Sequence, residues 1–325
     1  MEFITRVTPE PMTRKIKFGE QMVFMGSCFS DNIGMYMYHN GFRTLVNPMG
    51  TLYNPLSIER CIKKLLKEEL FTADDLFEYN DLYHSFMHHG SYSGIHKKET
   101  LDMINDSFLK GINAVQEMEW LCLTWGTAFV YRYKETGEVV TNCHKIPDYS
   151  FERKLCSIEE LLQYWEPLIQ TLISKNNELK IIITVSPIRH LKDGAHGNQV
   201  SKAILHLFTY ELQKQFPDHI IYFPAYEIMM DELRDYRFYK EDMAHPSDLA
   251  IKYISQKFKD WIITPELYDA MTMLSKIKST FAHRPLHEDD PNYMLMMEQA
   301  EHKLKALKNK YPLLYLNDEE LEQRL

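Results

Sequence analysis

The sequence lacks several features that would assign a chain to a broad class at once. No apolar run approaches the roughly 18 residues that a membrane span needs, and the acidic, mixed residues 1–6 contain no basic segment that leads into an apolar one. The five cysteines are odd in number and form no Cys-x-x-Cys pair, which suits reduced thiols. Positive charge is in deficit, with 37 Lys and Arg against 46 Asp and Glu, so a nucleic-acid or membrane partner is disfavoured. We therefore expect a cytoplasmic protein.

What the sequence does contain is an alternation of strand and helix patterns. Apolar or β-branched runs typical of buried strands lie at residues 22–25, 43–46, 120–124, 180–185 and 220–223, with helical patterns between them. This order predicts an α/β three-layer sandwich, with a doubly wound parallel sheet of about five strands, in residues 1–264. No strand pattern follows Pro265, so residues 265–325 are predicted to be a C-terminal helical extension.

Two segments between these strands have patterns of their own. Residues 129–133 and 139–142 predict a hairpin with Gly137 in its turn. Residues 69–94 have a weak pattern and predict a long loop rich in aromatic and imidazole side chains. Its histidines and the one that follows fit no zinc spacing, so we expect surface or substrate contacts from His84, His88, His89 and His96.

The first predicted strand ends in a tight turn at Gly26, and a helix follows with Ser30 or Asp31 as its N-cap. Ser27 and Cys28 lie on that turn, next to helix-end N–H groups that can stabilise an oxyanion. A serine needs a base to become nucleophilic, whereas a cysteine at a helix N-terminus beside an imidazole could be a thiolate near neutral pH. The residues leave Ser27 and Cys28 as equal candidates for a nucleophile.

Polar clusters follow the predicted strands and should meet at the carboxyl edge of a parallel sheet. They lie at residues 26–28, 47–50, 125–128 and 242–245. An Asp three residues before a His can place its carboxylate on the imidazole Nδ1–H, fix the tautomer and leave Nε2 free as a general base. We therefore predict that Asp242 orients His245, which would serve either nucleophile.

An early nucleophile and a late Asp-x-x-His pair resemble the arrangement of the SGNH or GDSL hydrolases. More closely, the chain resembles the GSCFA family, which is grouped with those hydrolases, over roughly residues 15–262. The stretches that carry this resemblance are Gly26-Ser27-Cys28-Phe29-Ser30, Asn47-Pro48-Met49-Gly50, Gly126-Thr127-Ala128, Asn142-Cys143-His144-Lys145, Val185-Ser186-Pro187-Ile188-Arg189-His190 and Asp242-Met243-Ala244-His245-Pro246-Ser247.

The resemblance also implies which groups would hold the oxyanion. They are the backbone N–H of the nucleophile and Gly50, and Asn47 in the same stretch is a further substrate-binding candidate. The SGNH enzymes have a third donor, an Asn that ends their third motif, but the corresponding stretch here has no Asn. Thr127 or Asn142 would then take its place.

Together, these observations predict an esterase or acyltransferase that acts on a small-molecule acyl ester, with no metal and no organic cofactor. The alternative is a non-catalytic ligand-binding module on the same fold, in which the helix N-terminus after Gly26 holds an anion or acyl group. Arg189 and Arg237 are expected to be ion-pair partners, although an anionic substrate would need one of them. The amphipathic tail is suited to packing on the core or to self-association into a homo-oligomer.

Overall fold

A computed structural model of the chain describes residues 4–283 and 290–316. Its strands are β1 (Gln21–Gly26), β2 (Arg43–Val46), β3 (Phe77–Tyr79), β4 (Leu82–His84), β5 (Met118–Trp125), β6 (Phe129–Tyr133), β7 (Val139–Val140), β8 (Phe151–Leu155), β9 (Lys180–Val185) and β10 (Ile220–Tyr222). Its helices are α1 (Cys28–His39), α2 (Pro55–Lys67), α3 (Lys97–Glu117), α4 (Ile158–Lys175), α5 (Gly194–Gln215), α6 (Ala225–Glu227), α7 (Asp248–Ile262), α8 (Tyr268–Phe281) and α9 (Pro291–Lys310). Residues 284–289 and 317–325 of the predicted helical extension lie outside the described residues.

The central sheet has five parallel strands in the order β2-β1-β5-β9-β10. This confirms the predicted α/β fold with a parallel sheet of about five strands. Gly26 on β1 is aligned with Thr124 on β5, which is in turn aligned with Thr184 on β9. The residues that follow these three positions therefore emerge side by side at one edge of the sheet.

Both faces of the sheet are covered by helices because the side chains of each strand alternate between two apolar clusters. Val23 and Met25 of β1 pack in the cluster formed with α2, α3, α4 and α5. Met22 and Phe24 point the other way, into the cluster formed with α1 and α7. Each fully buried side chain of this size contributes roughly 1.5–3 kcal/mol of transfer free energy, so both layers are needed for stability.

Two smaller antiparallel sheets lie outside the central one. The predicted hairpin is confirmed as β6 and β7, with a shorter second strand, and β8 adds a third strand beside β6. The predicted long loop contains a second hairpin, formed by β3 and β4, whose turn residues Asn80 and Asp81 have φ values of 50° and 59°. Two successive residues in the left-handed region are typical of a type I′ hairpin turn, and Asn and Asp adopt this conformation more readily than most residues.

The described part of the C-terminal tail consists of α8 and α9, which pack on the face of the sheet that carries α1. Leu274 and Leu304 are fully buried in that apolar cluster, and the N–H of Tyr315 donates to the carbonyl of Gly41 at 2.8 Å. The division of the chain at residue 264 and self-association through the tail both stay predictions. None of the helices among the described residues is both long and apolar enough to cross a membrane.

Candidate active site at the carboxyl edge of the sheet

The turn between β1 and α1 is built around a glycine. Gly26 has a φ of 145°, and a Cβ at this position would lie 2.3 Å from the carbonyl oxygen of Thr124 on β5. A side chain is excluded because its first carbon would overlap that oxygen. The chain therefore enters α1 directly against β5, with Ser27 and Cys28 at the edge of the sheet.

Ser27 caps α1 and is fully buried. Its Oγ accepts a hydrogen bond from the N–H of Phe29 at 3.3 Å. This corrects the prediction of a cap at Ser30 or Asp31, because Ser30 Oγ donates instead to a threonine hydroxyl on β5 at 2.7 Å. Cys28, the first residue of α1, is partly exposed. Of the two candidate nucleophiles, the sulfur is therefore the accessible one.

The surroundings of Cys28 favour the protonated thiol. Burial raises the pKa of this thiol and the carboxylate of Asp31 raises it further, while the positive charges of Lys240 and Lys202 lower it in part. The expected thiolate near neutral pH is thus disfavoured. A nucleophilic role for Cys28 requires a base that removes its proton during attack.

Asn47 ties the end of β1 to the first turn of α1. It adopts a left-handed conformation, with a φ of 43°, and its Oδ1 accepts the N–H of Gly26 at 2.9 Å. Its Nδ2 donates to Asp31 at 2.6 Å, and Thr51 Oγ1 donates to the other oxygen of that carboxylate at 3.2 Å. Both ends of the Asn47 amide are therefore engaged in holding the turn, which favours a positioning role over contact with substrate.

Gly50 closes the loop that begins at Asn47. Its N–H donates to the carbonyl of Asn47 at 2.7 Å, and its φ is 77°. A Cβ at Gly50 would lie 2.4 Å from the Cβ of His89, so glycine permits a close approach of the two loops. Because its N–H is already used, the geometry does not support Gly50 as an oxyanion donor in this conformation.

Thr127 and Asn142 differ in the groups that they leave free. The N–H of Thr127 donates to the carbonyl of Tyr53 at 2.8 Å, and its Oγ1 lies 3.0 Å from Ser201 Oγ. Asn142 Oδ1 accepts the N–H of His144 at 2.8 Å. Its Nδ2 has no hydrogen-bond acceptor in the part of the chain that the structure describes. Asn142 is thus the side chain of this pair that retains a free donor.

Asp242 and His245 form the predicted hydrogen-bonded pair. Asp242 Oδ2 lies 2.6 Å from Nδ1 of His245, and Oδ1 accepts the N–H groups of Ala244 and His245, both at 2.9 Å. These backbone N–H groups, that of His245 foremost, lower the pKa of Asp242 to about 2. An ionised carboxylate on Nδ1 selects the tautomer in which Nε2 carries the lone pair. Both side chains are about half exposed, at 51% and 46%, so Nε2 is open to a ligand.

The loop that carries this pair is docked on the segment that follows β9. The N–H of Arg189 donates to the carbonyl of Ala244 at 3.1 Å, and the N–H of Lys240 donates to the carbonyl of His245 at 2.8 Å. The charge of Lys240 also acts on the Cys28 thiol. The structure therefore places the Asp242–His245 pair and Cys28 at the same edge of the central sheet. Among the described residues, no hydrogen bond joins Cys28 to His245 in this conformation.

Two further side chains at this edge were not predicted. Lys202 on α5 is 2% exposed, and its Nζ donates to the carbonyls of Gly126 and Ser186 at 2.6 and 2.7 Å, which joins the ends of β5 and β9. Burial and the charge of Arg189 lower the pKa of Lys202 to about 7. His190 packs on the ring of Tyr53 with 5.7 Å between centroids, and burial lowers its pKa to about 3. His190 stands in one of the family-like stretches, whereas nothing in the sequence distinguishes Lys202.

No group of three or more His, Cys, Asp or Glu side chains in the described part of the chain could hold a metal ion.

Comparison with known proteins gives one family and a remote structural likeness. No curated protein matches the sequence. A solved structure from Streptococcus pneumonia, provisionally described as a platelet activating factor, is similar with a TM-score of 0.39 and 11% identity. The likeness covers 75% of this chain and 84% of that one.

The family match rests on the segment that contains the whole site. The GSCFA family model matches residues 21–258, which run from β1 into α7 and include the β1–α1 turn and the Asp242–His245 loop. This segment is well over half of the sequence. The chain therefore belongs to the GSCFA family.

Proposed function

We propose that this protein is an SGNH-type acyl-ester hydrolase or acyltransferase in which Cys28 is the nucleophile and His245 the general base. The observation that carries the proposal is the 2.6 Å hydrogen bond between Asp242 and Nδ1 of His245, at the edge where α1 begins. It leaves Nε2 as the proton acceptor on an accessible imidazole. The SGNH placement is supported by the order of the sheet strands and of the site residues along the chain.

The chemistry follows from these groups. His245 Nε2 takes the thiol proton as the sulfur attacks the ester carbonyl, and Asp242 stabilises the imidazolium that forms. The alcohol leaves with that proton, and a thioester on Cys28 remains. Water or an acceptor alcohol, deprotonated by His245, then cleaves the thioester. The N–H of Cys28 is at the N-terminus of α1, where backbone donors and the helix dipole favour a developing oxyanion.

Ser27 is the weaker candidate because its Oγ already caps the helix. Replacing it with alanine removes that cap and should reduce stability by about 1 kcal/mol. It should leave turnover within a few-fold of the wild-type value. The same substitution at Cys28 should abolish turnover without affecting the cap.

A non-catalytic binding module is the second candidate, and one observation favours it. The N–H groups of Gly50 and Thr127 are both engaged by backbone carbonyls, so the oxyanion site has fewer free donors than the resemblance implies. In this alternative, the N-terminus of α1 would hold an anionic or acyl ligand without chemistry.

Hydrolysis of p-nitrophenyl acetate by the full chain separates the two candidates. We expect turnover in the wild type and in the matched controls Cys143→Ala and His196→Gln, neither of which is a proposed catalytic residue. We expect none in Cys28→Ala and little in His245→Gln. If His245→Gln retains wild-type turnover, His245 is not the general base and the proposed mechanism is wrong. If neither the wild type nor any variant turns over, the enzymatic proposal is wrong and the binding module stands.

A further inference from the structure

Arg189 has no carboxylate partner beside the proposed active site. The residue is half-buried, and its Nε is inaccessible to solvent and has no hydrogen-bond partner. One terminal nitrogen contacts the sulfur of Met230 at 3.7 Å, and the guanidinium also lies against the hydroxyl of Tyr239. Within residues 4–283 and 290–316, no carboxylate forms an ion pair with Arg189. A half-buried guanidinium with no opposite charge beside it loses part of its hydration without compensation, so its position requires an explanation.

A second basic side chain, that of Lys202, lies near Arg189. Lys202 is almost fully buried, and both of its hydrogen bonds are to backbone carbonyls. Burial and the charge of Arg189 lower the pKa of Lys202 to about 7, so a positive charge on Lys202 is disfavoured beside Arg189. Placing two cations together without a counter-ion is unfavourable unless an anion joins them.

The carboxylates of this region are already engaged elsewhere. Asp31 accepts hydrogen bonds from two side chains, Asp242 holds His245, and Asp231 pairs with Arg234 at 2.9 Å. Glu227 accepts the hydroxyl of Tyr222 at 2.8 Å. None of these groups is therefore available to neutralise Arg189 in the described structure.

Arg237 and Arg153 provide the contrast within the same chain. Arg237 lies 3.8 Å from Asp235, and Arg153 forms a two-bond pair with Asp193. The prediction of an ion-pair partner is therefore met by Arg237. Arg189 forms no ion pair within residues 4–283 and 290–316, so the prediction is wrong for that residue.

We infer that Arg189, with Lys202 beside it, binds a compact oxyanion on the substrate, a carboxylate or a phosphate group that is part of the ester. This inference rests on the proposed function and names the substrate class of the same site. The backbone of Arg189 is hydrogen-bonded to the Asp242–His245 loop, so an anion on the guanidinium is held beside the catalytic pair. A guanidinium binds planar or tetrahedral oxyanions through two parallel N–H groups, which fixes the ligand's orientation as well as its charge.

Binding can be measured without turnover, through the melting temperature of the full chain. The probes are succinate and inorganic phosphate, with neutral succinamide as the control and sodium chloride to match ionic strength. We expect either anion to raise the melting temperature of the wild type and of Cys28→Ala. The larger shift identifies carboxylate or phosphate as the preferred group.

The variants at Arg189 decide whether this residue is the anchor. Arg189→Gln should lose the anion-dependent shift, Arg189→Lys should retain part of it, and the matched control Arg237→Gln should respond as the wild type does. The inference is wrong if succinate and phosphate act no differently from sodium chloride. It is equally wrong if Arg189→Gln and Arg237→Gln give the same shift as the wild type.

Substrate preference provides the second test. The ratio of kcat/KM for mono-p-nitrophenyl succinate over p-nitrophenyl butyrate should exceed one in the wild type. It should fall about 10- to 100-fold in Arg189→Gln, as expected for loss of a charge-assisted hydrogen bond. Arg189-dependent anion binding without hydrolysis of either ester would retain the anion site and reject the proposed enzyme. Hydrolysis of both esters with no preference, together with no anion binding, would retain the proposed enzyme and reject the anion site.

Discussion

Two histidine-containing regions of this protein differ in what their imidazoles contact. In the strand-end site, formed by Cys28, Asp242 and His245, the imidazole is half exposed and bonded to a carboxylate. In the loop cluster, formed by His84, His88 and His144, the hydrogen-bond and ring partners of the imidazoles among the described residues are hydroxyl groups, carbonyls and aromatic rings. The partner of the ring, rather than the residue type, separates a candidate base from a packing residue.

The loop cluster corrects one prediction from the sequence. His84 and His88 were expected at the surface or against substrate, yet they are 6% and 1% exposed. The rings of His84 and His144 lie 4.5 Å apart, and His88 packs on Phe71 at 4.7 Å. These imidazoles behave as flat core side chains because the long loop folds over them and supplies its own small core.

The largest expected effect comes from removing the proposed general base of the strand-end site. His245→Gln should lower kcat for an ester by about 10²–10⁴-fold, because general-base catalysis contributes that much. His88→Phe, at the loop cluster, should leave kcat within twofold. Steady-state kinetics of the two variants checks this, and equal losses at the two positions would remove the distinction between the regions.

The loop cluster, which should not affect kcat, should instead make the free energy of unfolding depend on pH. Burial lowers the pKa of His88 to about 3 and that of His144 to about 4, whereas an unfolded histidine titrates near 6.5. The unfolded chain therefore binds more protons between these values. The stability from neutral burial is present above pH 6.5 and is lost as the pH falls towards 3.

Each buried ring contributes a few kcal/mol to this loss. We expect His88→Phe to have a shallower fall in unfolding free energy between pH 6.5 and 4 than the wild type. Denaturant unfolding at several pH values measures it, with the exposed His96→Gln as the matched control. Parallel curves for the wild type and His88→Phe would show that the ring titrates normally in the folded state.

Asp242→Asn should have an intermediate effect on the strand-end site. The amide cannot carry the charge that stabilises the imidazolium, and it can favour the wrong tautomer. Because the pair is half exposed, water replaces part of this support, so we expect kcat to fall about 10- to 100-fold. Steady-state assays should show this loss with an unchanged melting temperature. An unaltered kcat would mean that the carboxylate has no part in the reaction.

The smallest effect should be found in the reactivity of the thiol itself. The Asp31 carboxylate raises the pKa of Cys28, so Asp31→Asn should bring that pKa down and speed alkylation by iodoacetamide at pH 8 by a few-fold. Cys143, whose pKa burial raises to about 11, should react more slowly than Cys28 in both proteins. Peptide mapping after timed labelling measures the rates. A slower Cys28 in the variant would contradict the electrostatic account.

The strand positions and the edge where chemistry gathers could be predicted from sequence. Apolar runs locate β1, β5 and β9, and parallel strands place whatever follows them at a common edge. The same reasoning predicts that Cys28 and the Asp242–His245 loop lie at this edge. Local pattern sufficed because strand identity and direction depend on short stretches of chain.

Hydrogen bonds between distant segments could not be predicted. Ser27, Ser30 and Asp31 are all good helix caps, and the choice was decided by a threonine on β5 that engages Ser30. Gly50 was predicted to be an oxyanion donor, but its N–H donates to the carbonyl of Asn47. Whether Arg189 has an ion-pair partner depends on where the fold places carboxylates from several elements. Each outcome depends on which groups the fold brings within about 3 Å of each other, and spacing along the chain does not determine that.

Trapping the acyl-enzyme tests most directly whether Cys28 is the nucleophile. The full chain is mixed briefly with p-nitrophenyl acetate, quenched in acid and mapped by mass spectrometry, with Cys143 as the internal comparison thiol. We predict an acetyl group on Cys28 that is removed by neutral hydroxylamine, as a thioester is, and that forms much more slowly in His245→Gln. Acetylation of Ser27, or labelling of Cys28 no faster than Cys143, would contradict Cys28 as the nucleophile of this site.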